Sequence, residues 1–292
     1  MKKFLSLFLL ALGAFVFLQC GGPQGSDYLV TIKTNQGDMV AILYDETPKH
    51  KENFIKLAQE HYFDSLLFHR VIEGFMIQGG DPDSKNAAPG QPLGMGGPGY
   101  TVEAEFNPKF FHEKGALSAA RLGDQQNPTK ASSGSQFYIV QGRVIPPGEA
   151  DAIRIDQNQM NMAFQQFLQN PANQPVIDTL NQIYMSGDMA AYQRKIYGMV
   201  TRLEKQTGIK IYKDVPQEMI TAYTTVGGAP HLDGGYTVFG KVISGLEVID
   251  KIAALPKDGN DRPLQDIRMA VSVEQVSRKE ISDKYGYQYP KQ

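Results

Sequence analysis

Across 292 residues there is a single cysteine, Cys20. One thiol supports neither an internal disulfide framework nor a thiolate zinc site. The five histidines (His50, His61, His69, His112, His231) lie far apart, with no i, i+4 pair and no metal-ligand spacing, so no metal is expected. An excess of positive charge is missing too: Lys and Arg number 29 against 31 Asp and Glu, a formal charge of −2. Phosphate backbones select clustered cations, so nucleic acid is not an expected partner. Zinc, P-loop and Rossmann chemistry are therefore disfavoured, and no cofactor is expected. Long hydrophobic runs are scarce. The one candidate, Phe4 to Leu18, is shorter than the roughly 20 residues a spanning helix needs. What remains is a chain with 41% hydrophobic and 21% charged residues, enough to build a core and too apolar for wholesale disorder. Its length predicts one large domain, or one domain carrying an insertion.

The N-terminus reads as an address. Met1-Lys2-Lys3 supplies positive charge ahead of the apolar run, which has the length of a signal-peptide core. Cys20-Gly21-Gly22 follows at once. A lone Cys closing an export signal resembles a bacterial lipoprotein site, although Gln19 stands where a small residue is usual. The resemblance implies a signal over residues 1–20, a lipid on Cys20 as the membrane attachment, and a linker over 21–27. The expected location is the periplasm or cell envelope.

From residue 28 the text alternates in strand fashion. Tyr28 to Thr34 and Met39 to Tyr44 flank Asn35-Gln36-Gly37-Asp38, which predicts a hairpin. Thr47 as N-cap and Pro48 at the first helical position predict a helix with Phe54, Leu57 and Ala58 as its buried stripe. Short strand-like pieces separated by Gly-rich connections predict a mainly β fold, an antiparallel barrel that is closed or nearly so. Between residues 143 and 221 the period changes. Met160, Ala163, Phe164, Phe167 and Leu168 have helical spacing, and so do Val176, Ile177, Leu180, Ile183 and Tyr184. Asp188 caps a third predicted helix with the stripe Met189, Tyr192, Ile196, Met199 and Leu203. Helix-on-helix packing is the simplest use of these stripes; a soft Met-rich face for clients is the alternative. Strand text returns at Tyr236. The expected layout is a first barrel part over 28–142, an α-helical insertion over 143–221, a second barrel part over 222–278 and a loose tail over 279–292.

Three segments carry a specific signal: Phe68-His69-Arg70-Val71-Ile72-Glu73-Gly74-Phe75-Met76-Ile77-Gln78-Gly79-Gly80-Asp81, then Gly134-Ser135-Gln136-Phe137-Tyr138-Ile139, then Leu232-Asp233-Gly234-Gly235-Tyr236-Thr237-Val238-Phe239-Gly240-Lys241-Val242. Together and in this order they closely resemble the cyclophilin-type peptidyl-prolyl isomerases. The resemblance implies a closed cyclophilin-like antiparallel barrel flanked by helices and a site acting on proline-containing polypeptides. It also implies the roles that follow. Arg70 donates to the prolyl group, and Gln78 orients it. Phe75, Met76, Tyr138 and Leu232 wall the proline pocket. Phe137 and the neighbourhood of Ala120 supply its floor and a backbone edge, with Phe137 also expected to be part core because strand neighbours alternate faces, and Gln136 is a further substrate-facing amide. Four positions depart from the usual pattern: Tyr138 in place of Phe, Arg121 in place of Asn, His231 in place of Trp and Tyr236 in place of His. These bear on the pocket rim.

Such a reaction makes no bond, so it needs no nucleophile, metal or redox group. Rotation about X–Pro faces a barrier of about 18–20 kcal/mol from amide resonance. An apolar pocket and one fixed donor suffice to lower it. His69 beside Arg70 is therefore expected to make a structural hydrogen bond rather than to serve as a base, and Asp233-Gly234-Gly235 to form a turn. The expected function is prolyl isomerisation in exported proteins as they fold. The alternative is a catalytically weak module of the cell envelope that binds proline segments or serves assembly. The helical insertion, flanked by pocket segments, is expected at the active-site rim.

Overall fold

The computed structural model describes residues 25–290. The export signal and Cys20 lie outside the described residues. Among the described residues no helix is long and apolar enough to cross a membrane.

Strands β1 (Ser26–Thr34) and β2 (Gly37–Leu43) form the expected hairpin, closing at Thr34–Gly37 around Asn35 and Gln36. Helix α1 (Pro48–Gln59) follows and buries Phe54, Leu57 and Ala58, with Ile55 and His50 added to the stripe. Its capping differs from expectation. Thr47 occupies the N-cap position but makes no side-chain cap. Glu105 does this from a distant loop, accepting from Lys49 N at 3.1 Å and His50 N at 3.0 Å. The same carboxylate meets His50 Nδ1 at 2.6 Å, and His50 Nε2 meets the buried Ser132 Oγ at 2.9 Å. A carboxylate satisfies two orphan amides and opposes the positive end of the helix dipole, which a threonine hydroxyl cannot match.

The remaining large strands are β3 (Phe68–Ile72), β4 (Met76–Gly79), β6 (Ala116–Ala119), β8 (Phe137–Val140), β9 (Val238–Ser244) and β10 (Met269–Ser277), while β5 (Thr101–Val102) and β7 (Ser132–Ser133) pair as a separate ribbon. Eight strands join antiparallel in the order β10-β1-β2-β9-β6-β8-β4-β3. The expected closed barrel is not formed. The sheet curls into a half-barrel whose edges, β10 and β3, share no ladder. Only the Leu67–Arg268 bridge and bonds such as Phe68 N to Ile267 O (2.9 Å) and Met269 N to Leu66 O (2.8 Å) join them. The two edge strands overlap for too few residues to build a ladder, because each begins just where the chains meet.

The concave face of the sheet is covered by α1 and by α7 (Leu246–Ala253), which buries Val248, Ile249, Ile252 and Ala253. Strand alternation divides neighbours between two cores. Leu117, Ala119, Phe137, Ile139 and Ile77 join the large core, whereas Ala116, Tyr138, Val140 and Met76 join a second cluster on the other face.

Between β8 and β9 lie α2 (Gln157–Leu168), α3 (Gln174–Met185), α4 (Met189–Tyr197), α5 (Val200–Thr207) and α6 (Gln217–Thr225). Met160, Ala163, Phe167, Leu180, Met199 and Leu203 form a core of their own, so most of the predicted stripes pack helix on helix. Asp188 does cap α4, accepting from Ala191 N at 2.8 Å. The single third helix is nonetheless two, broken at Gly198-Met199, where glycine weakens a helix interior. As far as it is described, the tail is packed. Helix α8 (Arg278–Tyr285) buries Ile281, and Tyr285, Tyr287 and Tyr289 pack beside Leu29 and Ile42 on the outer face of β1 and β2.

Glu105→Ala strips two amides and a buried imidazole of their acceptor. It is expected to lower stability by about 2–3 kcal/mol, measured as the shift in urea midpoint. Thr47→Ala should cost much less.

Candidate active site

One row of side chains crosses four adjacent strands. Arg70 on β3 stands opposite Gln78 on β4, Gln78 opposite Tyr138 on β8, and Tyr138 opposite Ser118 on β6. Residues directly paired in this way share a face of the sheet. Period two adds Met76 to the row from β4 and Gln136 from just before β8, each two residues from a member of the row.

The polar half of the row is a directed chain. Arg70, exposed, donates from Nη1 to Gln78 Oε1 at 3.3 Å. Gln78 Nε2 donates to Gln136 Oε1 at 3.0 Å. Gln136 Nε2 in turn donates to Gly94 O at 2.9 Å and Gly96 O at 2.8 Å. Each amide's orientation follows from its neighbour, because carbonyl oxygens only accept and guanidinium nitrogens only donate. The Gly94–Gly96 loop is held from below by the buried Asp81 carboxylate, which accepts from the amides of Gly94 and Gly96.

The apolar half is the second cluster. Met76, Ala120, Tyr138 and Leu232 are buried in it, and Phe75 and Tyr236 pack against it half-buried. His231, exposed, tilts over Phe75 with ring centres 5.2 Å apart. Partial desolvation against Phe75 and its neighbours holds the His231 imidazole below its usual range, which favours the neutral ring near pH 7. Arg121 does not reach out as a free rim contact: its side chain is only 5% exposed. Its Nε donates to Gly235 O at 2.7 Å, its Nη1 to Asp124 Oδ1 at 2.6 Å, and its guanidinium lies 4.4 Å from the Tyr236 ring centre. Arg121 therefore braces Tyr236.

Beneath this cluster is a buried chain that the sequence did not disclose. Asp233 Oδ1 accepts from His112 N at 3.0 Å and faces His112 Nδ1 at 2.8 Å. His112 Nε2 lies 3.0 Å from the Tyr138 hydroxyl, and Tyr223 OH donates to Asp233 Oδ2 at 2.7 Å. Tyr138, where a phenylalanine is usual, was the available signal, since a buried hydroxyl demands a partner. That the partner is His112, and that Asp233 is more than a turn residue, required the fold.

Three further expectations change. Phe137 is not pocket floor: it points into the large core, where Phe54, Phe63 and Phe68 surround it at 5.4, 5.6 and 6.2 Å. The backbone of Ala120 is already engaged, N to Gln136 O at 3.0 Å and O from Ser133 N at 2.8 Å, so this residue offers the cluster its methyl group. The His69 ring is buried, and its bond to the Leu67 backbone is marginal rather than the firm structural hydrogen bond expected. Among the described residues no group of three or more His, Cys, Asp or Glu side chains is arranged to hold a metal.

Comparison with known proteins places this geometry. The family model for cyclophilin type peptidyl-prolyl cis-trans isomerase matches residues 29–187 and 215–273. The chain belongs to the cyclophilin-type peptidyl-prolyl cis-trans isomerase family. A Staphylococcus saprophyticus protein named as a peptidyl-prolyl cis-trans isomerase is 30% identical over 84% of this chain and 90% of its own length. Its counterpart in Staphylococcus aureus strain USA300 is 32% identical over the same shares, 84% and 90%. A Streptococcus pyogenes protein named as a bifunctional phosphatase/peptidyl-prolyl cis-trans isomerase is 33% identical over 82% of this chain, which spans 37% of that longer protein. A Cryptosporidium parvum cyclophilin type isomerase aligns with a TM-score of 0.47 at 21% identity, over 85% of this chain and 98% of that one.

In this cyclophilin-type chain His69 gives a pH test of the strand that carries Arg70. Burial pulls its pKa from 6.5 to about 4, against the opposing pull of Asp81. The folded pKa lies below the unfolded one, so the stabilisation is present above pH 6.5 and is lost as pH falls through 4. The loss is on the order of 3 kcal/mol. Chemical denaturation between pH 7.5 and 4 should show it, and His69→Leu should make the pH dependence shallower in that window.

Proposed function

We propose that this chain accelerates rotation about X–Pro bonds in exported polypeptides by holding the proline ring in the Phe75–Met76–Tyr138–Leu232 cluster and donating to the twisted imide from Arg70. The observation that carries the reading is the placement of an exposed guanidinium, oriented by Gln78, on the same sheet face as that cluster. Water favours the planar, charge-separated amide, so an apolar pocket weakens the resonance that resists rotation. As the imide twists, its nitrogen regains a lone pair, and a donor already fixed in place stabilises that state more than the planar one. The Gln78–Gln136 chain supports this by limiting the orientations open to Arg70 before substrate arrives. No proton moves and no bond forms. The neutral His231 and buried His69 have no part in the step.

The proposal extends to location. The sequence from Met1 to Leu18 followed by Cys20 supports a chain exported and tethered to the cell envelope by a lipid on that cysteine. Uncatalysed X–Pro isomerisation takes tens to hundreds of seconds, which would delay the folding of newly exported proteins. The unmatched stretch between residues 187 and 215 supports reading part of the helical segment as an insertion into the family core.

The test is NMR exchange between cis and trans peaks of a short X–Pro peptide, with wild type and Arg70→Ala. Wild type should accelerate exchange, and the variant should lose roughly 10²-fold of that acceleration with its thermal midpoint unchanged, since Arg70 is exposed. Binding without acceleration in the wild type would leave a proline-binding module instead. For location, cells expressing the full chain should incorporate labelled fatty acid and hold the protein in the membrane fraction. Cys20→Ser should release it to the soluble fraction.

A further inference from the structure

Helix α6 lies in the helical segment, not in the sheet that carries the pocket, yet a continuous buried hydrogen-bond chain runs from it to the pocket ring. We propose that Tyr223 on α6 is a positioning residue that, through Asp233 and His112, fixes the Tyr138 ring that the proline contacts. The inference rests on the isomerase reading above and deepens it: the helical segment sets the geometry of the pocket.

Proton placement follows link by link in the tautomer that the proposal assigns to His112. The Asp233 carboxylate can only accept, so His112 Nδ1, at 2.8 Å, carries the ring proton. Nε2 is then an acceptor, and the Tyr138 hydroxyl at 3.0 Å donates to it. At the far end the Tyr223 hydroxyl donates to the second carboxylate oxygen at 2.7 Å. His112 is 1% exposed, Tyr138 4% and Tyr223 0%, so water has little access to the three rings, and the linking Asp233 side chain is 10% exposed. Without His112 the hydroxyl would keep only the buried Ser118 side chain as a partner, and its ring would be less firmly oriented.

The surroundings are built for this contact. A Cβ on Gly228 would stand 2.4 Å from Tyr223 Cε1 and 2.3 Å from His112 O, so the ring can lie against the chain only because that position is glycine. Ala229 N donates to His112 O at 2.8 Å, and Ile145 N to Tyr223 O at 2.9 Å, which ties both ends of the helical segment to the same chain. The tyrosine where phenylalanine is usual and the α6 anchor thus explain each other: the additional hydroxyl is the handle by which the segment holds the pocket ring.

The test is a double-mutant cycle on the full folded chain. Tyr223→Phe should lower kcat/KM roughly fivefold, more through KM than through kcat. In a Tyr138→Phe background, which has no hydroxyl to hold, the same substitution should change kcat/KM by less than about twofold. Equal effects in both backgrounds would overturn the proposal, as would no effect in the first. Imidazole 15N spectra give a second readout. His112 should show a protonated Nδ1 and an unprotonated Nε2, and Tyr138→Phe should shift Nε2 chiefly; two protonated nitrogens, or an unmoved Nε2, would overturn it. That readout also decides the matter if Tyr223→Phe does not fold. If the wild type lacks isomerase activity, the reading above fails, and the cycle is scored on X–Pro peptide Kd with the same criteria.

Discussion

Phe137 and Tyr138 are adjacent in β8, both almost fully buried, and their rings serve opposite faces of the sheet. The division is enforced by the backbone ladders to β4 on one side and β6 on the other, which leave β8 no freedom to slip. A shift of one residue would exchange the two rings, drive the Tyr138 hydroxyl into the aromatic core and remove the row from Arg70 to Ser118. The large core holds β8 in register, because Phe54, Phe63 and Phe68 close around Phe137. A packing constraint on one face thus determines where the chemistry stands on the other.

The pocket face is organised by two hydrogen-bond chains of different purpose. One runs from the exposed Arg70 through Gln78 and Gln136 to the carbonyls of the Gly94–Gly96 loop, and it orients a charge that remains open to solvent. The other runs from Tyr223 through Asp233 and His112 to Tyr138, with its three rings buried. The first chain ends in an exposed guanidinium, whereas the second joins buried rings that have few alternative partners. Arg121 adds a third constraint by packing its guanidinium on Tyr236 and bonding to Gly235, so the loop after Leu232 is held from both sides.

The same preference for distant partners recurs away from the site. Helix α1 is capped by Glu105 and not by its own Thr47, and the outer face of β1 and β2 is covered by tyrosines from the last residues described. Both replace a local solution with a tertiary one. A local cap makes one neutral bond, whereas Glu105 gathers two amides and a buried imidazole around one charge.

Much of this was legible in the residues. Period-two and period-3.6 patterns located the hairpin, α1 and the helical stretches, since side-chain periodicity depends only on local geometry. Three segments in order identified the family and named Arg70, Gln78, Gln136, Phe75, Met76, Tyr138, Leu232 and Tyr236, all of which the fold brings to one face. Other features were beyond local reading. Whether β3 and β10 overlap far enough to close a barrel depends on the curl of the whole sheet. Whether Arg121 is free or engaged depends on Gly235, 114 residues away in the chain. Alternation already pointed Phe137 toward the core, whereas the surroundings of His69 depended on elements remote in the chain. The sequence alone determined most strands and helices and the family, because these follow from residue type and spacing. Only the tertiary structure decided the open half-barrel, the cap on α1 and the tie from α6 to Tyr138, because a hydrogen bond between remote residues exists only once every intervening element is packed.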